Sequence, residues 1–139
     1  MNKQVLSIEQ MKHLQQLGLD TSDASIYWVR RSHGSRLDDK SKSDWFLSLQ
    51  KEFMVCGFTS YEVIPTLTLQ DILDKLPHYL NPFPPKQILF AWMIERDTIA
   101  YRNVEDIDDC LKHFTDDLLI DAAYEMPCWC IENKYIGKE

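Results

Sequence analysis

Four stretches of the chain carry apolar residues at helical spacing, and four others carry β-branched and aromatic clusters at strand spacing. Residues 5–18 open with Ser7 and Gln10 in an S-x-x-Q capping box, flanked by Leu6 and Met11 as a hydrophobic staple. Ile8, Met11, Leu14 and Leu17 then fall on one face, and Gly18 suits a left-handed stop. Thr68 and Asp71 repeat the box, with Leu67 and Ile72 as its staple and Leu69, Ile72, Leu73 and Leu76 as the face. Pro77 ends or bends that helix. Phe46, Leu49 and Phe53, closed by Gly57, predict a helix over 45–56. A last helix is expected from Thr115 or Asp116, with Leu119, Ala122, Ala123, Met126 and Cys130 as its buried stripe. It should kink at Pro127 and stop near Asn133-Lys134.

Ile26 to Val29 and Tyr61 to Ile64 read as strands, the second ended by Pro65. Gln87 to Glu95 and Thr98 to Tyr101 read as a hairpin turning at Arg96-Asp97, after a stiff connection at Pro82, Pro84 and Pro85. Residues 30–44 are polar and predict an exposed loop. The mixed order of elements predicts one α+β domain over 1–139, with three or four helices packed on a small, mainly antiparallel sheet of three to four strands. Its expected core draws on Leu14, Leu17, Phe53, Ile72, Leu76, Leu89, Trp92, Ala122 and Met126. Trp45, Phe46 and Trp129 are also expected to be core.

At 139 residues one such core is affordable without metal or disulfide. The net charge of −7 opposes nucleic acid and suits a basic partner. No apolar run approaches the ~20 residues of a membrane span. The polar start predicts no signal peptide. Cytoplasmic localisation and free thiols at Cys56, Cys110, Cys128 and Cys130 are the corresponding expectations.

Three blocks resemble small uncharacterised proteins of gut bacteria and their mobile elements or prophages. The blocks are Leu6 to Gly18, Thr68 to Pro77, and Leu119 to Met126 with Cys128 to Asn133. The resemblance covers about half the chain. The family carries no known activity, so it implies a fold more than a function. It usually has an apolar helix former where Pro127 stands and a glycine where Lys134 stands.

Candidate chemistry is sparse. Cys110-x-x-His113 with Cys128-x-Cys130 has zinc-ligand residue types, but two cysteines two apart on a helix diverge by about 200°. Ser32-His33-Gly34-Ser35 sets a nucleophile beside a base, without the G-x-S-x-G elbow. The acids of 105–117 lack a calcium-loop pattern. Asp116 and Asp117 suit a helix N-terminus. No catalytic, cofactor-binding or metal residue is therefore assigned.

The charge layout is more pointed. Arg30, Arg31, Arg36, Lys40 and Lys42 outnumber Asp38 and Asp39 within 30–42, while Glu105, Asp106, Asp108, Asp109, Asp116 and Asp117 crowd into 105–117. Arg30, Arg31, Arg36, Glu105, Asp106, Asp108 and Asp109 are the candidate interaction residues. The leading expectation is a non-enzymatic interaction or accessory protein of a mobile element. Its contact would be an unknown protein partner, or a second copy paired head to tail. The alternative is a nucleic-acid-associated regulator using the basic loop, and an enzyme of unrecognised type comes third.

Overall fold

The computed structural model describes residues 3–33, 41–53 and 59–136. The chain folds as α1 (Ile8–Leu17), β1 (Ile26–His33), β2 (Ser41–Lys42), β3 (Phe46–Ser48), β4 (Thr59–Thr66), α2 (Leu69–Lys75), β5 (Tyr79–Leu80), β6 (Phe90–Glu95), β7 (Thr98–Asn103), β8 (Asp106–Thr115) and α3 (Leu119–Glu132). Among the described residues this is an α+β arrangement of three helices with two small antiparallel sheets, rather than the single sheet expected. In the first sheet, β2 and β3 follow one another along one edge of β1, and β4 pairs the other edge from Ile26↔Thr66 to His33↔Thr59. The second is a meander in the order β5-β6-β7-β8.

Both predicted capping boxes form. Ser7 Oγ accepts from the Gln10 amide and Gln10 Oε1 from the Ser7 amide, and Thr68 and Asp71 repeat the exchange. Gly18 takes the left-handed stop of α1 at φ 93°. The two boxes also dock the chain's first segment. The Leu6 amide donates to the Leu67 carbonyl at 3.0 Å, and Val5 bridges Thr68. The staple residues Leu6 and Met11 are thereby buried with Leu14 of α1, Ile72 and Leu76 of the α2 region, and Ala122, Ala123 and Met126 of α3. Phe90, Ile99 and Tyr101 of the second sheet join the same cluster.

Four local expectations are corrected. No helix forms over the described part of the span expected at 45–56, whose residues 54–56 lie outside the described residues: residues 46–48 are β3, held by pairing to Tyr27, Trp28 and Val29. Phe46 and Leu49 have no core to face and stay exposed, while Phe53 stacks on Tyr61. The loop at 30–44 is shorter, because Arg30 to His33 continue β1 and Ser41-Lys42 form β2. The ladders that β1 makes with β4 and with β2 supply backbone partners to both, whatever their side chains. The acidic run is largely strand, and α3 begins only at Leu119, so Asp121 rather than Asp116 or Asp117 lies in its first turn. The Asp116 amide instead donates to the Asp97 carbonyl across the β6–β7 turn. Finally, β4 does not end at Pro65, since Thr66 still pairs Ile26. A proline is tolerated because β4 is an edge strand.

The hairpin at Arg96-Asp97 and the stop after Asn133 form as expected, with Arg96 and Lys134 in positive φ. α3 runs through Pro127, which lies buried inside the helix. Leu17, Leu89 and Trp92 are half-buried rather than fully in the core, as are Trp45 and Trp129.

Candidate interaction surface

Alternation along β7 fixes what each face of the second sheet presents. Ile99 and Tyr101 enter the core, so Thr98, Ala100 and Arg102 lie on the outer face. Register then places Tyr79, Ala91, Arg102 and Cys110 in one row across the four strands, and Met93, Ala100 and His113 in the next. Glu95, Thr98 and Thr115 form a third row. The helices lie with the core on the opposite side. The outer face therefore carries exposed apolar groups: Tyr79 at 61% and Met93 at 37% of full exposure.

β8 bends over one end of this face. Its pairing jumps from Asn103↔Asp106 to Arg102↔Cys110, so residues 107–109 bulge out of the ladder. Arg102 Nη1 donates to the Ile107 carbonyl at 3.0 Å and pins the bulge. Asn103 braces it further, donating from Nδ2 to Asp109 Oδ2 at 3.2 Å and accepting the Glu105 amide at Oδ1. Between bulge and β6–β7 turn lies a hollow of about 420 Å³, lined among others by Met93, Glu95, Ala100, Arg102, Ile107 and Asp108. Ala100 is covered and forms the floor, whereas Ile107 is 61% exposed at the wall.

All four predicted acidic site residues, Glu105, Asp106, Asp108 and Asp109, are exposed at the β7–β8 turn and bulge. The carboxylates of Glu95, Glu105 and Asp108 make no hydrogen bond or ion pair among the described residues. The hollow itself is absent from the sequence reading, because Glu95, Met93 and Arg102 meet Ile107 only through register and the bulge. The one local signal for it in the sequence is Ile107 between two pairs of acids.

The chain matches no protein-family model, no curated protein and no solved structure.

The other candidates resolve differently. Arg30 donates from Nε and Nη2 to Glu62 Oε1 at 3.2 and 2.9 Å and lies 4.6 Å over the Trp45 ring. Lys42 approaches the same carboxylate at 3.9 Å, and Arg31 is exposed. Arg36 and Lys40 lie outside the described residues. Ser32 is buried in β1 opposite Lys42 and Ser60. Of the zinc-type residues, Cys110 and His113 sit on the outer face of β8. Cys128 and Cys130 leave α3 in different directions, the first toward Tyr124 and His13, the second toward Tyr101. No group of three metal-ligand side chains occurs among the described residues.

One cluster escaped the sequence reading altogether. His13 Nδ1 of α1 is hydrogen-bonded to Tyr124 Oη, and Cys128 Sγ lies 3.8 Å from that same nitrogen. It has the residue types of a thiol nucleophile with its base. The thiol, however, donates to the Tyr124 carbonyl at 3.3 Å, and burial pushes its pKa up to about 11. Nucleophilic cysteines have the opposite shift, so the geometry is that of a satisfied buried thiol.

Proposed function

We propose that this protein is a non-enzymatic interaction protein, an accessory factor of a bacterial mobile element. Its contact surface is the outer face of the second sheet with the acidic bulge at 105–109. The observation that carries this reading is the uncovered face itself: exposed Tyr79, Met93 and Ile107 stand beside carboxylates unpaired among the described residues, with every described helix on the other side. Exposed apolar groups rimmed by charge suit a protein partner of opposite sign. The free thiols of Cys110, Cys128 and Cys130 support a reducing compartment, the cytoplasm. No described helix is long and apolar enough to cross a membrane.

The nucleic-acid alternative draws less support. Arg30 and Lys42 are already engaged with Glu62, which removes charge a phosphate would need.

The test compares wild type with Asp106, Asp108 and Asp109 reversed to Lys. Partners captured from native cells and cross-linked at β7–β8 should be lost in the variant while it still melts cooperatively, lowered only by the loss of the exposed Asn103–Asp109 and Asp106–Asp108 contacts. Unchanged partners would remove this surface from the function. Tight, salt-sensitive DNA or RNA binding, lost on Arg30, Arg31 and Arg36 → Ala, would favour the alternative.

A further inference from the structure

We infer that the hollow on the outer face takes an extended basic segment of the partner, with two cationic side chains four residues apart and an apolar side chain midway between them. This rests on the proposed contact surface and names what that surface holds.

The uncovered sheet face carries the argument, and the charges select its occupant. Met93, Ala100 and Ile107 give the hollow an apolar floor and wall, exposed at Met93 and Ile107. Glu95 lies opposite Thr98 at one end. Asp108 belongs to the bulge that Arg102 holds at the other. Thr98 and Arg102 are four residues apart on one strand, which spans about 13 Å at ~3.3 Å per residue. An extended peptide repeats its side-chain face every second residue. Running along β7, it would set residue i near one carboxylate, i+4 near the other, and i+2 over Met93 and Ala100.

The charges agree in sign. Arg102 is the cation of the hollow, and its guanidinium is already donating to the Ile107 carbonyl. Glu95 and Asp108 have no cation of their own among the described residues, and Glu105, Asp106 and Asp109 extend the negative field. An acidic peptide or a phosphate backbone would be repelled. A helix would present its i and i+4 side chains only about 6 Å apart, too close to reach both carboxylates.

The experiment measures binding of a labelled peptide with lysines four apart and a leucine midway, kept extended by threonines elsewhere, by fluorescence anisotropy. Saturable binding that weakens with salt is expected. Glu95→Gln and Asp108→Asn should each weaken it about two- to five-fold, as for exposed ion pairs. Ile107→Ser should weaken it further, while Glu125→Gln on α3 should leave it unchanged. A peptide with adjacent lysines should bind less tightly. Failure to bind, equal affinity for adjacent lysines, or indifference to Glu95→Gln and Asp108→Asn would overturn the inference. If the Asp106, Asp108 and Asp109 reversal still abolishes partner capture in that case, the surface stands and only its occupant is wrong. A dimer that forms without peptide and is lost in Asp108→Lys would overturn it in favour of a second copy.

Discussion

Thr66 and Leu6 are joined by a buried hydrogen bond: Thr66 Oγ1, at the end of β4, donates to the Leu6 carbonyl at 2.8 Å. The same carbonyl accepts from Trp28 Nε1 of β1, also at 2.8 Å. One backbone oxygen thus ties the chain's first segment to two strands of the first sheet. Thr66→Val should cost about 0.5–1.5 kcal/mol in urea unfolding, at the low end for a buried site, because Trp28 keeps the carbonyl satisfied. Removing both donors, with Trp28→Phe added, should cost more than the two single effects together.

The capping boxes offer a cleaner measure of local stability. Ser7→Ala and Thr68→Ala each remove the acceptor for an N3 amide and should each cost about 1 kcal/mol by denaturant titration. Thr68→Ser should recover most of the loss.

Acid should weaken the α1–α3 contact. Burial raises the Asp121 pKa, but hydrogen bonds from Lys3 at 2.6 Å and Gln10 at 3.0 Å outweigh it, so the folded pKa lies below its ordinary value. A depressed carboxylate contributes stability that is present above the unfolded pKa, near 4, and is lost as pH falls through the folded pKa. Asp121→Asn should therefore lower the melting temperature at pH 7, by a stability loss of under about 1 kcal/mol for a pair this accessible. The difference from wild type should close below about pH 4.

Thiol labelling should separate the cysteines of α3 from Cys110. Burial pushes Cys128 up to about 11 and Cys130 up to about 12, whereas Cys110 is half-exposed on β8. At pH 7 the two helix thiols should react with a maleimide at least about a hundred-fold more slowly than a free cysteine. Among the described cysteines, peptide mapping should show Cys110 modified first, with Cys128 and Cys130 modified only on unfolding. Rapid labelling of Cys128 in the folded protein would revive the reading of His13 and Cys128 as a reactive pair.

What the sequence determined by itself is what neighbouring residues settle between themselves. Ser7-x-x-Gln10, Thr68-x-x-Asp71 and Gly18 specify helix ends through bonds made within a turn, and they form in the structure. The apolar faces of α1, α2 and α3 follow from the helical period alone, and Leu14, Ile72, Ala122 and Met126 lie in the core they predict. The density of acids at 105–109 is likewise plain in the sequence. Its surroundings are not. β8 hides from period-2 reading because Leu111 and residues 107–109 fall out of register, and its pairing with β7 is a contact the local sequence does not encode. Phe46, Leu49 and Phe53 carry helical spacing, yet residues 46–48 become strand, because pairing with Tyr27 to Val29 supplies backbone partners that a lone amphipathic turn could not match. The hollow needs all of this at once: the register that aligns Met93 with Ala100, the bulge that lifts Ile107, and the arginine that pins it. Only the tertiary structure decided those, since each depends on which strands meet and not on which residues adjoin.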